Sequence, residues 1–192
     1  MGREFELKYA ATEDILASLA AKFGPGREIR METTYFDTPD HTLSSARMTL
    51  RLRRENDETV CTLKTPLPDG SRGEWECSAD SIQSGITSVL AMGAPKVLKD
   101  LTAGGVMQVC GARFTRIAVE LATADGTAEL ALDNGVLIGG GKEVLLCEVE
   151  LELKSGSEEA LLALAEQLAA AYALKVEPHS KFRRAMALIT GE

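Results

Sequence analysis

This 192-residue chain has no apolar run long enough to cross a membrane as a helix. Its charged first residues also lack the basic region and apolar stretch of a secretory signal, so the expected location is cytoplasmic, with no membrane partner. A net charge of -8 withholds the basic footprint that nucleic acid or an anionic lipid surface requires, and this argues against nucleic acid as a partner. The two histidines, His41 and His179, are too few and too scattered for a histidine metal site. Cys61, Cys77, Cys110 and Cys147 form no C-x-x-C pair, which leaves zinc and thioredoxin-like chemistry unsupported and favours structural thiols. Walker A, G-x-G-x-x-G and serine or cysteine triad contexts are missing too. With aromatics at 5%, little is available to build a pocket for an organic base.

What the chain does have is charge in alternation. In MGREFELKYA, Glu4, Glu6 and Lys8 share one parity while Phe5, Leu7 and Tyr9 take the other, so a strand here turns charge to one face and apolar groups to the opposite one. CEVELELKSG repeats the pattern with Glu148, Glu150 and Glu152, each about 7 Å from the next in an extended chain. Rows of like charge repel, and a bound cation relieves them where a solvated face would mix its signs.

The same alternation recurs in IRMETTYFDTP, RMTLRLRRE, TVCTLKT, RGEWECS, a long strand from about Met107 to Leu121, and TAELALDNG. Glu55 to Glu58 reads as a hairpin turn, as do Ala124-Asp125-Gly126 and the glycines at 139–141. Helical spacing predicts a helix from Thr12 to Gly24 and a helical pair over 81–103 interrupted near Gly93 and Pro95. A long helix capped by Ser157 and a shorter one starting near Ser180 complete the pattern. About eight strands with one charged and one apolar face, plus amphipathic helices, predict a single α+β domain over 1–192. Its centre is an eight-stranded antiparallel β-barrel, a tunnel with a charged interior and an apolar exterior flanked by helices. An open α+β sheet with one wet face is the alternative.

Collected by parity, the expected interior holds Glu4, Glu6, Glu74, Glu76, Glu120, Glu129, Asp133, Glu148, Glu150 and Glu152 with Lys8, Arg51, Arg53, Lys64, Arg72 and Arg116. Mutual pairing alone rarely repays the desolvation of so many ions. A ligand needing both signs, a polyphosphate with a divalent metal, explains the set better. Arginine and lysine would hold phosphate oxygens, and carboxylates would hold Mg²⁺ or Mn²⁺. For any one carboxylate, a salt bridge inside the tunnel stays open as the other reading.

EFELK, YFDTP at 35–39, LRLR at 50–53, TLKTP at 62–66, the E-x-E-x-E row at 148–152 and SKFRR at 180–184 together resemble the CYTH superfamily, or triphosphate tunnel metalloenzymes. The chain looks most like the bacterial inorganic triphosphatases. This resemblance implies an eight-stranded tunnel that hydrolyses inorganic triphosphate (tripolyphosphate) to pyrophosphate and phosphate with Mg²⁺ or Mn²⁺. By motif it implies Glu4, Glu6, Asp133, Glu148 and Glu150 as metal ligands and Glu4, Glu6, Lys8, Glu148 and Glu150 as catalytic. Lys8, Arg51, Arg53, Lys64, Arg116, Lys181 and Arg184 would bind phosphate, with Glu129 and Glu152 as either ligands or orienting groups. Rival readings are a class IV-type adenylate cyclase, a thiamine or nucleoside triphosphatase, and a non-catalytic polyphosphate-binding module. A homodimer stays open as an assembly. Many members of that branch continue into a helical, histidine-rich domain, so this chain suits either a stand-alone enzyme or one domain of a longer protein.

Overall fold

The computed structural model describes residues 2–3, 5–67 and 72–191. After β1 (Gly2–Arg3) and β2 (Glu6–Ala10), the Thr12 side chain accepts from the Ile15 N–H and starts α1 (Glu13–Phe23), which Gly24 ends at φ 83°. β3 (Arg27–Asp37) leads through the short α2 (Thr42–Ser45) to β4 (Thr49–Glu55), β5 (Glu58–Pro66) and β6 (Arg72–Ser78). α3 (Ile82–Ala91) and α4 (Val97–Leu101) form the interrupted helical pair. β7 (Met107–Ala122), β8 (Thr127–Gly139) and β9 (Lys142–Ser155) make two long hairpins, followed by α5 (Glu158–Tyr172), β10 (Lys175–Val176) and α6 (Lys181–Thr190). None of the described helices is long and apolar enough to cross a membrane.

All pairings are antiparallel, in the order β1-β6-β5-β4-β3-β7-β8-β9-β2-β10. Hydrogen bonds do not close this ladder. The chain does so covalently, because β1 on β6 and β2 on β9 are consecutive pieces of one N-terminal segment. Counted as one crossing, they make eight positions with β3 to β9, and the two-residue β10 is an addition that the alternation did not foretell. The first strand was expected to be continuous; it divides because it must change neighbours, and the Leu153 N–H already reaches the Phe5 carbonyl at 3.0 Å.

Two apolar clusters cover the outside, and a third, under α6, lies on the inward face that also carries Asp133 and Glu148. Leu16 and Leu19 of α1 and Leu161, Ala165 and Leu168 of α5 pack over Leu130, Leu132, Val149 and Leu151. Ile82, Val89 and Leu98 of α3 and α4 cover Leu50, Cys61, Leu63 and Trp75. Ala185 of α6 sits on Cys110, Leu137 and Leu146. Each fully buried leucine contributes about 1.5–3 kcal/mol, so these clusters supply the apolar burial that the charged part of the interior cannot.

A close helix-to-sheet approach is at Gly85 of α3, where an added Cβ would stand 2.4 Å from the Cys61 Sγ and 2.5 Å from its Cβ. Gly85→Ala is therefore expected to destabilise the fold by about 1–3 kcal/mol through overpacking, despite the better helix propensity of alanine. Urea unfolding measures this, and a gain in stability would mean that α3 can ride outward at no cost.

Candidate active site in the tunnel

Register turns the alternating residues into rows. One row joins Glu6, Glu152 and Glu129 across β2, β9 and β8; the next pairs Lys8 with Glu150; a third joins Glu148, Asp133 and Arg116 across β9, β8 and β7. On the other side β4 sets Arg53 opposite Thr33 and Arg51 opposite Tyr35, and β5 and β6 pair Thr62 with Glu76 and Lys64 with Glu74. In the eight-position ring β4 lies four steps from β9 either way, so the arginine strand faces the glutamate strand. Between them lies a cavity of about 880 Å³.

The acidic side holds a tight ion cluster. Carboxylate oxygens of Asp133, Glu148 and Glu150 lie within 4.8 Å of one another, a grouping suited to a metal ion. Lys181, the first residue of α6, reaches into it: its ammonium donates to Asp133 at 2.8 Å, to Glu150 at 2.7 Å and to Glu148. Arg116 donates to both oxygens of Asp133 at 2.7 and 2.8 Å and to Glu150, and Arg184 donates to Glu148. Asp133 and Glu148 are fully buried on the inner face beneath the first turns of α6, whereas Glu150 lines the cavity.

These contacts set the protonation of the cluster. Burial pushes the Glu148 carboxyl up to about 7, against the pull of Lys181. Burial would also raise Glu150, but Lys181 and then Arg116 outweigh it and hold Glu150 well below the usual carboxylate range. Burial disfavours charge on Lys181 and Arg116 as well, yet the surrounding carboxylates raise both above their ordinary values.

The basic side is paired loosely. Arg51 stands 3.9 Å from Glu76 and Arg53 3.7 Å from Glu55, both beyond hydrogen-bond length, and Lys64 is 3.5 Å from Glu74. Glu76 accepts instead from the Thr62 hydroxyl at 2.9 Å. Arg53 donates its Nε–H to Thr33 at 2.9 Å, while the Arg51 Nε is buried without a hydrogen-bond partner among the described residues. Burial first and the neighbouring Arg51 second bring the Arg53 guanidinium down to about 10. Two same-face guanidiniums without a close carboxylate among the described residues suit an anion.

Of the candidate residues, Glu6, Lys8, Arg51, Arg53, Lys64, Arg116, Glu150 and Lys181 line the cavity. Asp133, Glu148 and Arg184 lie against it in the ion cluster, and Glu4 falls outside the described residues. Glu120, expected inside, is instead exposed; it pairs with Glu129 at the end of the β7–β8 hairpin, beyond the enclosed part of the sheet. The lining also includes Arg27, Glu55, Lys154, Tyr35 and Phe182. Arg27 and Lys154 obey the same parity but sit at strand ends that periodicity marked poorly. Asp37 of the YFDTP motif is fully buried, its carboxylate accepting from the N–H groups of Thr38, Leu43 and Ser44 at 2.8–3.1 Å. It fixes the bend into α2, a role that alternation does not reveal.

The antiparallel tunnel thus sets an arginine wall and a carboxylate wall around one cavity, with helices packed against its apolar faces. The CYTH domain model matches residues 2–186, and the chain belongs to the CYTH domain family. It is 29% identical over 175 residues to an inorganic triphosphatase of Haemophilus influenzae, covering 88% of this chain and 50% of that protein; the chain thus spans half the length of that curated relative. Among solved structures, a candidate adenylyl cyclase of Hippeastrum, reported with a dominant triphosphatase activity, aligns with TM-score 0.70 and 21% identity over 98% of this chain and 96% of the other. A candidate adenylate cyclase of Bacillus halodurans aligns with TM-score 0.65 and 21% identity over 96% and 98% of the two chains. These two likenesses concern the fold.

Lys181 links the cluster's charge to stability. With a folded value of about 7 above an unfolded one of ~4.3, Glu148 supports the fold fully below the unfolded value and loses that support as pH rises through 7. Glu150, depressed, does the opposite: its contribution is present above the unfolded value and fades as pH falls through the folded one. Lys181→Met leaves the carboxylates without their central cation. The expected loss is about 3–5 kcal/mol at pH 8 and clearly less at pH 5, where Glu148 is protonated. Urea unfolding at the two pH values checks this; equal losses would uncouple the effect from Glu148 protonation, and no loss at either pH would show that the cluster does not depend on Lys181.

Proposed function

We propose that this protein hydrolyses inorganic triphosphate to pyrophosphate and phosphate with Mg²⁺ or Mn²⁺. The observation that carries the reading is the asymmetry of pairing among the described residues: the cations of the acidic cluster are bound at 2.7–2.8 Å, whereas Arg51 and Arg53 have carboxylates there only at 3.7–3.9 Å and the Arg51 Nε is buried without a described partner. That vacancy suits phosphate oxygens, which take two parallel N–H bonds from one guanidinium. The family membership and the triphosphatase relative support the same ligand.

Arg51, Arg53, Lys64 and Lys8 hold the phosphate chain and neutralise its charge. Hard carboxylate oxygens fit a small divalent ion. Glu6 and Glu150, which line the cavity, would hold it, with Glu129 and Glu152 in the adjoining row and the Asp133–Glu148 pair behind. Glu4 shares the parity of Glu6 and belongs to the same proposed set. When bound, the ion neutralises phosphate oxygens and lowers the barrier to attack by water. Glu6 takes the proton of that water as its oxygen adds in line to a terminal phosphorus and the anhydride bond to pyrophosphate breaks, while Glu150, kept ionised by Lys181 and Arg116, helps to orient it. Glu148, buried under Lys181 and Arg184, acts by keeping those cations beside Glu150.

A second reading has its own observation. Tyr35 and Phe182 line the cavity with ring centroids 5.2 Å apart, and Tyr35 neighbours Arg51 across the strands, so a triphosphate carrying an aromatic base would find a surface to pack on. Phosphate release from tripolyphosphate, ATP and thiamine triphosphate, each with Mg²⁺, Mn²⁺ or EDTA, separates the readings. Metal-dependent release from tripolyphosphate well above the others is expected; cyclic AMP from ATP, or preference for a base-bearing substrate, would replace it with the second reading. Arg51→Ala is expected to lower kcat/KM by about 10²–10³ with little change in Tm. Parallel loss of fold and activity would remove Arg51 from the site.

A further inference from the structure

Phe114 stands where the two charged walls meet. It is buried, shares the strand face of Arg116, and three cations from three different elements converge on its ring. The Lys181 ammonium lies 5.3 Å from the centroid, the Arg53 guanidinium 5.8 Å and that of Arg116 6.0 Å. Carboxylates bind Lys181 and Arg116 closely, but the nearest one to Arg53 stays at 3.7 Å. Directly opposite on β8 is Gly135, where a Cβ would come 2.5 Å from the Phe114 Cα and 2.6 Å from its Cβ. β8 thus leaves this spot to the ring.

We propose that Phe114 is a positioning residue of the tunnel, whose electron-rich face holds Arg53 beside Arg116 and Lys181 so that its N–H groups stay available to phosphate. This rests on the triphosphate reading above. A carboxylate in its place would bind Arg53 and then compete with the phosphate; an aliphatic side chain would fill the space and leave three cations to repel one another. An aromatic face attracts cations without accepting their hydrogen bonds in the plane where a phosphate must sit, and does so more strongly where water is excluded.

The test replaces Phe114 by 4-fluoro-, 3,5-difluoro- and 3,4,5-trifluorophenylalanine, which keep the ring's shape while draining its face of negative potential, and adds Phe114→Leu. Calorimetry with tripolyphosphate and Mg²⁺ should show affinity weakening stepwise, about tenfold between phenylalanine and the trifluoro ring, with KM rising more than kcat falls. Phe114→Leu should match the trifluoro protein. A flat series would overturn the proposal while leaving the triphosphate reading intact. If the unaltered protein binds no tripolyphosphate, that reading falls by itself, and hydrogen exchange at the Arg53 Nε–H in the ligand-free protein decides for Phe114. Faster exchange with each fluorine supports the positioning role, and an unchanged rate overturns it.

Discussion

The ammonium of Lys181 among Asp133, Glu148 and Glu150 is the contact on which the rest of the tunnel depends. Three carboxylates brought together out of water by two adjacent strands are untenable without a cation, because desolvation of each ion outweighs anything its neighbours of like sign return. Lys181 supplies that cation from the first turn of α6, so the helix is fastened inside the barrel by its charged end as well as by Ala185 on the inward-facing Leu137 and Leu146. Arg116 and Arg184 complete the neutralisation from β7 and from the next turn of the helix. The cluster is thereby rigid, and Glu150, its member at the cavity, is held ionised.

Rigidity on one wall gives meaning to slackness on the other. Arg51 and Arg53 lie on one face of β4, where nothing in the sheet register brings a carboxylate within hydrogen-bond reach. A protein selected for stability alone would pair or replace them, since buried guanidiniums with unmet N–H groups are costly. Their persistence inside an acidic chain is best explained by a ligand that brings the missing negative charge. Phe114 joins the two regimes, standing near the tightly paired cations and the loosely paired Arg53 through the same ring.

Much of this was legible beforehand. Period-two alternation separates Glu148, Glu150 and Glu152 from Cys147, Val149 and Leu151, and the burial of the latter three follows it. Thr12, Ser157 and Ser180 announce their helices because a hydroxyl at that position meets an otherwise unsatisfied N–H. Parity failed at strand ends, where Glu120 keeps its face but escapes enclosure. It was silent about Asp37 and Gly135, whose roles lie in backbone contacts several residues or a whole strand away.

The sequence by itself determined which side of each strand is charged, where the helices begin, and that both signs of charge share one interior, because these follow from local periodicity and capping. Only the tertiary structure decided which charges meet. Sheet register set Glu148 beside Asp133, the return of α6 inserted Lys181 between them, and the same closure left Arg51 and Arg53 facing open space. Pairing at this range depends on distances between strands and helices far apart in the chain, and no local pattern carries that information.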